Sequence, residues 1–413
     1  MNGLTAVGEL ALDGSIRPIR GALSIARLVA RQGGRTLVIP PSNVREAQLV
    51  RDVNLAAPTT LAELVMQIRS GHLAMTEDVP SVVESYREVP EIGDVIGQEA
   101  AKRALEIAAA GDHGLIFIGP PGAGKTLLAR CMPALLPALT DHETLEVIAI
   151  HSVAGLLTPD RALSSARPFR APHHTVSSAG LVGGGSPPRP GEVSLAHLGV
   201  LFLDEMLEFP RHILDAMRQP LEDGHVIIAR AAGSVRFPAR FTLVGAMNPC
   251  PCGRAGDLPG RCICAPSDIL RYRARLSGPL VDRIDLHVVV KAVPVAQLGE
   301  REARDCSAAV RSRVEHARGR QRERYRAMNG LEVNGRAPGR WLQTMTPIES
   351  EARQLLATAA ENLGLSARAY YRVLRVARTI ADLEDDDIVR PPYVAEALRY
   401  RPALPREEGM SAA

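Results

Sequence analysis

A glycine-rich segment of this chain has the residues needed to bind phosphate groups. It reads Gly119-Pro-Pro-Gly-Ala-Gly-Lys125-Thr126 and matches the pattern G-x-x-x-x-G-K-[ST]. An apolar segment, Leu115–Ile118, precedes it, and a helix-forming segment, Leu127–Met132, follows it. Glycines let backbone N–H groups converge on phosphate oxygens, and the helix N-terminus adds a positive dipole. The expected nucleotide-binding residues of this phosphate loop are Gly119, Pro120, Pro121, Gly122, Ala123, Gly124, Lys125, Thr126 and Leu127.

The lysine of this segment stands out because lysine is scarce in the chain. Of 49 basic residues only Lys102, Lys125 and Lys291 are lysines, and coding bias is the plain explanation for the excess of arginine. At position 125 a compact ammonium on a flexible stem can reach the β- and γ-phosphates, and a planar guanidinium is not equivalent there. We therefore expect Lys125 to bind phosphate and the Thr126 hydroxyl to bind Mg²⁺.

Two further segments end in polar residues suited to phosphoryl transfer. Asp204 and Glu205 follow the apolar run Val200–Leu203, and Asn248 follows the run Phe241–Met247. Asp204 is expected to hold Mg²⁺, and Glu205 to polarise the attacking water. Asn248 is a candidate for orienting that water, although Asn-Pro is also a common turn.

Four of the six cysteines lie close together, at Cys250, Cys252, Cys262 and Cys264. In a chain without an export signal such a cluster indicates metal binding before disulfides. Four thiolates suit structural Zn²⁺, but each pair is separated by one residue, whereas zinc sites usually have two to four. Uncoordinated, reduced cysteines are therefore the alternative.

The order of apolar runs predicts an α/β fold. Short continuous runs at 114–118, 200–203 and 241–247 are typical of buried parallel strands, with helices covering both faces of the sheet. Residues 167–190, rich in Gly, Pro and His, look like an insertion. Helical patterns at 301–328, 346–363, 366–383 and 392–400 predict a C-terminal bundle.

Four segments follow from these patterns. They are an N-terminal module at 1–73, an acidic linker at 74–93, an α/β core at 94–294 and a helical unit at 295–413. In the module we expect a strand over Val7–Leu12, a turn at Asp13-Gly14, a helix over Ala22–Arg31, a strand over Thr36–Pro40 and a helix over Asn43–Asp52.

Composition excludes several classes of protein. The chain has 413 residues, 46% of them hydrophobic and 23% charged, which is ordinary for a globular protein with a large core. No apolar run is long enough to span a membrane, and the N-terminus lacks the features of a signal peptide. The expectation is a cytoplasmic protein without a membrane partner. The net charge of +3 gives no strong indication of a nucleic-acid partner.

Taken together, the motifs resemble those of AAA+ ATPases of the Mg-chelatase-like group, in the ComM/YifB branch. The resemblance covers nearly the whole chain and implies an AAA+ P-loop core, a C-terminal helical lid and a partial, Lon-like α+β N-terminal domain. The matching segments are Asp94–Glu99, the phosphate loop, Arg167–His174, Pro190–His197, Leu203–Glu205, Met247–Pro249, Leu276–Asp285 and Leu365–Ala369.

The resemblance also implies roles for individual residues. Ile96, Gly97 and Gln98 lie where the family packs the adenine, and Asn248 corresponds to sensor 1. Arg283 corresponds to an arginine finger that reaches the ATP of a neighbouring subunit, and Arg368 to sensor 2. A finger and a sensor of this kind imply a homo-oligomeric ring, expected to be a hexamer.

For function, the resemblance implies an ATP-driven ring motor that remodels DNA by branch migration in recombination or natural transformation. Segments 226–230 and 234–237 form a hairpin pattern, and in related motors such hairpins touch nucleic acid. Arg230 and Arg236 are thus candidate DNA contacts, with a plain solvated hairpin as the alternative. The alternative function is remodelling of a partner protein, as for a Mg-chelatase subunit.

A peptidase is a third possibility, because Val7–Gly21 resembles part of the Lon proteolytic domain. However, residues 1–73 contain no lysine, and the segment that would carry the serine would precede residue 1. The module is therefore expected to be degenerate and inactive in proteolysis. Either a misassigned start or a natural truncation at Met1 fits this pattern.

Overall fold

The computed structural model describes residues 4–34, 36–76, 89–157, 166–230, 233–255, 262–293, 306–328 and 330–401, except for the side chain of Arg230. The strands are β1 (Leu4–Ala6), β2 (Glu9–Leu10), β3 (Ile16–Arg17), β4 (Thr36–Val38), β5 (Asn54–Ala56), β6 (Leu115–Ile118), β7 (Phe169–Arg170), β8 (Gly183–Gly184), β9 (Arg189–Pro190), β10 (Val200–Leu203), β11 (His225–Arg230), β12 (Gly233–Pro238), β13 (Thr242–Met247) and β14 (Leu286–Val289).

The first helices belong to the N-terminal part and the core. They are α1 (Ala22–Arg31), α2 (Val44–Ala47), α3 (Leu61–Ser70), α4 (Glu99–Gly111), α5 (Lys125–Leu135), α6 (Asp141–Ala154), α7 (Ser178–Val182), α8 (Glu192–Leu195), α9 (Arg211–Ala216), α10 (Arg218–Asp223), α11 (Pro266–Arg273) and α12 (Gly278–Val281). The C-terminal helices are α13 (Ser307–Arg324), α14 (Gly339–Met345), α15 (Ser350–Leu363), α16 (Ala367–Leu383) and α17 (Pro391–Arg399).

The central sheet is parallel and has the order β14-β6-β13-β10-β7. Its middle strands are apolar except for Thr242 at the start of β13, and every residue of β10 and β13 is buried. Met247 pairs with Ile118, and Gly245 pairs with Leu203. The carboxyl ends of β6, β13 and β10 therefore lie side by side, which confirms the α/β fold and brings the three polar strand ends together.

Two strands of this sheet have no clear signal in the sequence. β7 has only two residues and lies in the region that was interpreted as an insertion, so that interpretation is wrong for residues 169–170. β14 contains His287, which interrupts its apolar run. Burial lowers the pKa of His287 to about 4, so the ring is neutral at pH 7 and can be accommodated in the sheet.

The C-terminal helices and the sheet share one hydrophobic core. Val314 and Tyr325 of the α13 region and Val373 of α16 belong to the same buried cluster as Phe117 and Phe202 of the strands. The helices predicted at 346–363, 366–383 and 392–400 are present within a few residues of those bounds. The helix predicted at 301–328 is observed over Ser307–Arg324, and residues 301–305 lie outside the described part.

The N-terminal part has a small parallel sheet of order β1-β4-β5. The helix predicted at Ala22–Arg31 is present and packs on α6, where Leu23 contacts Ile148. The strand predicted at Val7–Leu12 is present only in part, as β2 (Glu9–Leu10), which pairs with β3 in a short hairpin around Gly14. The helix predicted at 43–52 is only the single turn α2. Most of the predicted linker, residues 77–88, lies outside the described part.

Among the described helices, none is both long and apolar enough to cross a bilayer.

A buried carboxylate connects the sheet to the C-terminal helices. Asp285, just before β14, accepts hydrogen bonds from His113 Nδ1 at 2.9 Å and from Arg372 of α16 at 2.5 Å. The other ring nitrogen of His113 lies 2.8 Å from the Thr379 hydroxyl, also on α16. Burial alone would raise the pKa of Asp285, but the charge of Arg372 and the hydrogen bond with His113 hold it well below its ordinary value.

This ion pair predicts a loss of stability in acid that depends on Asp285. A carboxyl with a depressed folded pKa stabilises the protein above its unfolded pKa, near 3.8, and that stability is lost as the pH falls towards the folded value. Asp285→Asn should lower the free energy of unfolding at pH 7 by about 3 kcal/mol, because Arg372 loses a buried partner. Urea unfolding should show that the difference in the free energy of unfolding between wild type and Asp285→Asn narrows below pH 4.

Asp268→Asn is the matched control, because Asp268 is exposed and its ion pair with Arg271 is long, at 3.8 Å. It should change the unfolding free energy by less than about 0.5 kcal/mol. A constant difference between wild type and Asp285→Asn from pH 7 to pH 3 would contradict this role of Asp285.

Candidate functional site

The phosphate loop joins β6 to α5 at the carboxyl edge of the sheet. Gly119 lies so close to β14 that a Cβ atom there would be 2.1 Å from the Val290 carbonyl oxygen, so only glycine fits. Gly122 and Gly124 have φ angles of 78° and 86°, which favour glycine. Pro121 and Gly122 are exposed, and Leu127 is partly exposed. The structure therefore shows the strand, loop and helix that the sequence pattern predicts.

Lys125 is the first residue of α5, and its ammonium points back into the loop. Nζ donates to the carbonyl oxygens of Gly119 at 2.6 Å and Pro120 at 2.8 Å, and to Asn248 Oδ1 at 3.2 Å. The residue is only 9% exposed. Burial lowers the pKa of Lys125, while the nearby carboxylates of Asp204 and Glu205 act to raise it.

The two residues predicted to bind Mg²⁺ are in direct contact. The Thr126 hydroxyl donates to Asp204 Oδ2 at 2.9 Å, across the gap between α5 and the end of β10. Hard oxygen donors of this kind suit Mg²⁺, which binds proteins through one or two carboxylates together with substrate phosphates. This donor pair fits the proposed ion.

Glu205 has an unusual backbone. Its φ is 49° and ψ 45°, a left-handed conformation that is uncommon for a residue with a side chain, and its N–H donates to Asp204 Oδ1 at 3.0 Å. The Glu205 side chain is 60% exposed, and one carboxylate oxygen lies 3.9 Å from His174 Nδ1. Such backbone conformations cost energy and persist only where the surrounding structure holds them. They occur often at functional sites.

Asn248 lies where the strand order predicts. It follows β13, between the phosphate loop of β6 and the acidic pair of β10, and it contacts Lys125. On the other side of the loop, Gly97 and Gln98 both have φ near 60°, and Gln98 Nε2 donates to the carbonyl oxygens of Lys291 at 2.6 Å and Ala123 at 3.5 Å. The segment of Ile96, Gly97 and Gln98 thus borders the phosphate loop.

The two arginines expected to act on ATP are not at this cluster. Arg283 pairs with Glu222 and donates to the Pro279 carbonyl oxygen at 2.6 Å, with its side chain only 10% exposed. Arg368 is exposed in the first turn of α16. Within the described residues, no hydrogen bond or ion pair joins either side chain to the phosphate loop.

The predicted hairpin is present as β11 and β12, with residues 231–232 of its tip outside the described part. Val226, Ile228 and Phe237 pack into the core. Ile227 and Arg236 pair across the strands on the exposed face, and Arg236 Nη2 lies 3.2 Å from His225 Nδ1. Arg236 is therefore accessible to a ligand, while the side chain of Arg230 is outside the described part.

The four clustered cysteines converge on one point. Their Sγ atoms all lie within 4.8 Å of one another; the Sγ–Sγ distance is 3.4 Å between Cys250 and Cys252, and 3.7 Å from each of these to Cys262. A tetrahedral Zn²⁺ with Zn–S bonds of about 2.3 Å would set its ligands about 3.8 Å apart. Hydrogen bonds from the backbone N–H groups of Ile263 and Arg254 lower the pKa of Cys252 to about 6. The set of donors, completed by Cys264, fits a tetrathiolate zinc site.

Two features of the site were not predicted as such. His174 lies close to Glu205, and the two-residue strand β7 that precedes it in the chain gives no apolar signal from which this placement could be predicted. Gly253 of the cysteine segment lies against Pro121 of the phosphate loop, a contact that sequence spacing does not reveal.

Comparison with known proteins agrees with this geometry. Residues 91–298 match the family described as magnesium chelatase, subunit ChlI, and residues 304–401 match its C-terminal family. The chain is 44% identical over 407 residues to Competence protein ComM of Haemophilus influenzae, covering 96% of this chain and 77% of the relative. It is 41% identical over 401 residues to protein YifB of Escherichia coli, covering 96% and 76%.

A more distant relative is the magnesium-chelatase 38 kDa subunit of Rhodobacter capsulatus, with 31% identity over 191 residues, which cover 42% of this chain and 53% of that subunit. The similarity to ComM and YifB extends over nearly the whole chain, whereas the similarity to the chelatase subunit is confined to a part. The chain belongs to the ComM/YifB family of magnesium-chelatase-like AAA+ proteins.

Proposed function

We propose that the protein is an ATPase and that its nucleotide site is the edge formed by the ends of β6, β13 and β10. The observation that carries the proposal is the contact of Thr126 with Asp204 beside the Lys125 ammonium. Lys125 and Thr126 follow β6 and Asp204 follows β10, and with Asn248 after β13 they form the constellation expected for a nucleoside triphosphate with Mg²⁺. The proposed cofactors are ATP and Mg²⁺, with structural Zn²⁺ at the four cysteines.

In this proposal each residue has a definite task. Lys125 moves from its carbonyl partners to the β- and γ-phosphates of ATP. Thr126 and Asp204 would hold Mg²⁺, which would neutralise charge on the phosphate oxygens. Glu205 accepts a hydrogen bond from a water molecule, and Asn248 orients it towards the γ-phosphorus. The water oxygen bonds to the γ-phosphorus and its proton passes to Glu205, while the bond from that phosphorus to the bridging oxygen of the β-phosphate breaks, which releases ADP and phosphate.

The first prediction separates binding from hydrolysis. Lys125→Ala should abolish measurable ATP binding, because the only positive side chain of the loop is removed. Glu205→Gln should bind ATP as wild type does but hydrolyse it at least about 100-fold more slowly, as expected for loss of a general base. Calorimetry with Mg²⁺ and a non-hydrolysable ATP analogue measures binding, and phosphate release from ATP measures hydrolysis.

Lys102→Ala is the matched control for Lys125→Ala, because within the described residues the Lys102 ammonium pairs with Glu99, at 3.0 Å, and with no atom of the phosphate loop. It should bind and hydrolyse ATP normally. Full hydrolysis by the Glu205→Gln variant would contradict the role given to that carboxylate.

We propose that the macromolecule on which this ATPase acts, its client, is DNA. Specifically, a ring of subunits would remodel branched DNA in recombination or natural transformation. Support comes from similarity to a protein named for competence and from the exposed Arg236 on a hairpin whose other face is anchored in the core. The competing proposal is a partner protein as client, supported by the partial similarity to a magnesium-chelatase subunit.

The second prediction tests the DNA proposal. Wild type should bind a synthetic four-way junction at low salt, migrate it with ATP and hydrolyse ATP faster in its presence. Arg236→Ala should weaken junction binding and reduce the slope of log affinity against log salt by about 1, as for loss of one phosphate contact.

Arg271→Ala is the control for this experiment, because the Arg271 side chain is 81% exposed and its ion pair with Asp268 is long, at 3.8 Å. It should leave junction affinity unchanged. If wild type ignores the junction in both binding and hydrolysis, DNA is not the client and remodelling of a protein is favoured.

We further propose that the ring is a homo-oligomer, expected to be a hexamer, in which Arg283 reaches the nucleotide of the adjacent subunit. Assembly must then release Arg283 from Glu222, and Arg368 must approach the nucleotide of its own chain as α16 moves. An arginine finger in trans accelerates hydrolysis by about 10³–10⁵-fold.

The third prediction tests this trans arrangement by complementation. Arg283→Ala has an intact phosphate loop without a finger, and Glu205→Gln has an intact finger without the carboxylate. Each variant alone should be inactive in phosphate release, and a mixture should regain activity, because the intact finger of one subunit serves the intact site of another. Two inactive variants that remain inactive when co-assembled would exclude a finger in trans at Arg283.

A further inference from the structure

We propose that the metal site of the four cysteines braces the phosphate loop, so that nucleotide affinity depends on the bound Zn²⁺. This inference rests on the proposed binding of ATP at that loop. The observation behind it is that Gly253, which follows Cys252, lies against Pro121 of the phosphate loop and near Asn248, although the cysteine segment contributes none of the expected phosphate ligands.

The first cysteine pair is attached to the strand that carries Asn248. Cys250 follows Asn248 by one proline and is completely buried. The N–H of Gly253 donates to the Cys250 carbonyl oxygen at 2.9 Å, and the N–H of Ala255 donates to Cys250 Sγ at 3.2 Å. The segment therefore folds into a tight turn around the Cys250 thiol.

This turn lies against the phosphate loop. A Cβ atom built on Gly253 would be 2.6 Å from Pro121 Cδ, 3.0 Å from Pro121 Cγ and 3.9 Å from Asn248 Cγ. Gly253 also has a φ of 77°, so this position requires glycine both for its backbone and for the space. The turn thus lies against Pro121, an exposed residue of the phosphate loop.

The second cysteine pair ties this turn to the next helix. Cys262 and Cys264 lead directly into α11, and Arg273 at the end of that helix donates from Nε to the Pro249 carbonyl oxygen at 3.2 Å. A metal bound by both cysteine pairs closes the chain between them into a loop. This closure reduces the number of conformations that the turn can adopt. Zn²⁺ would therefore hold Gly253 against Pro121.

The consequence is a preorganised phosphate loop. Binding a nucleotide costs less when the loop is already ordered, since fewer backbone conformations are lost. Without the metal, the turn can move away from Pro121, and the loop and Asn248 lose a neighbour. Nucleotide affinity should then fall although every phosphate ligand is still present.

The test compares metal content, stability and ADP binding in full-length variants purified without chelator. Wild type should contain one zinc per chain by mass spectrometry, and the double substitution Cys262→Ser with Cys264→Ser should contain none. Its ADP dissociation constant, measured by calorimetry with Mg²⁺, should rise about tenfold.

Gly253→Ala keeps the test decisive if the cysteine variant fails to fold. It retains all four thiols and should keep its zinc, while the added methyl group pushes the turn away from Pro121 and raises the ADP dissociation constant about tenfold. Gly71→Ala is the matched control: Gly71 has a φ of 73° with no atom within 4 Å of the added Cβ, so the backbone strain is similar without the contact. It should bind ADP as wild type does.

The outcomes distinguish this inference from the function on which it rests. Wild type that binds no ADP contradicts the nucleotide site itself. Wild type that binds ADP but contains no metal, or unchanged ADP affinity in the Gly253→Ala variant relative to Gly71→Ala, overturns the brace and leaves the ATPase proposal standing.

Discussion

The buried ammonium of Lys125 requires oxygen partners, and this requirement determines how the strands around the site are arranged. Lys125 has its charge almost out of water, and such a group is stable only where oxygen atoms surround it. Two carbonyl oxygens of its own loop and the Asn248 side chain meet that need, with the carboxylates of Asp204 and Glu205 nearby. These partners come from three different strands, so the site requires β13 to lie between β6 and β10.

The same sheet connects the site to the C-terminal helices. Arg372 of α16 donates to Asp285 and also to the Arg283 carbonyl oxygen, at 2.5 and 2.9 Å. Through Arg372, α16 therefore holds the Arg283 carbonyl oxygen by a hydrogen bond and Asp285 by a buried ion pair. In the proposed ring, a movement of α16 caused by nucleotide would be transmitted to the residue that reaches the neighbouring subunit.

The sequence predicts those parts of the site that depend on neighbouring residues in the chain, but not those that depend on contacts between separate elements. The phosphate loop, Asp204 with Glu205, and Asn248 are each marked by a local pattern at the end of an apolar strand, and parallel pairing brings them together. The short strand β7 and the contact of Gly253 with Pro121 depend on tertiary packing, so they have no local signal. The pairing of Arg283 with Glu222 is of the same kind, because the two residues come from separate elements.

The central claim is that the ends of β6, β13 and β10 form one nucleotide site. The most direct measurement is a structure of the full chain with Mg²⁺ and a non-hydrolysable ATP analogue. The account predicts Lys125 Nζ within hydrogen-bond distance of the β- and γ-phosphate oxygens, Thr126 bound to Mg²⁺, and Asn248 facing the γ-phosphate. An analogue bound elsewhere, with Lys125 still on the carbonyl oxygens of Gly119 and Pro120, would contradict it.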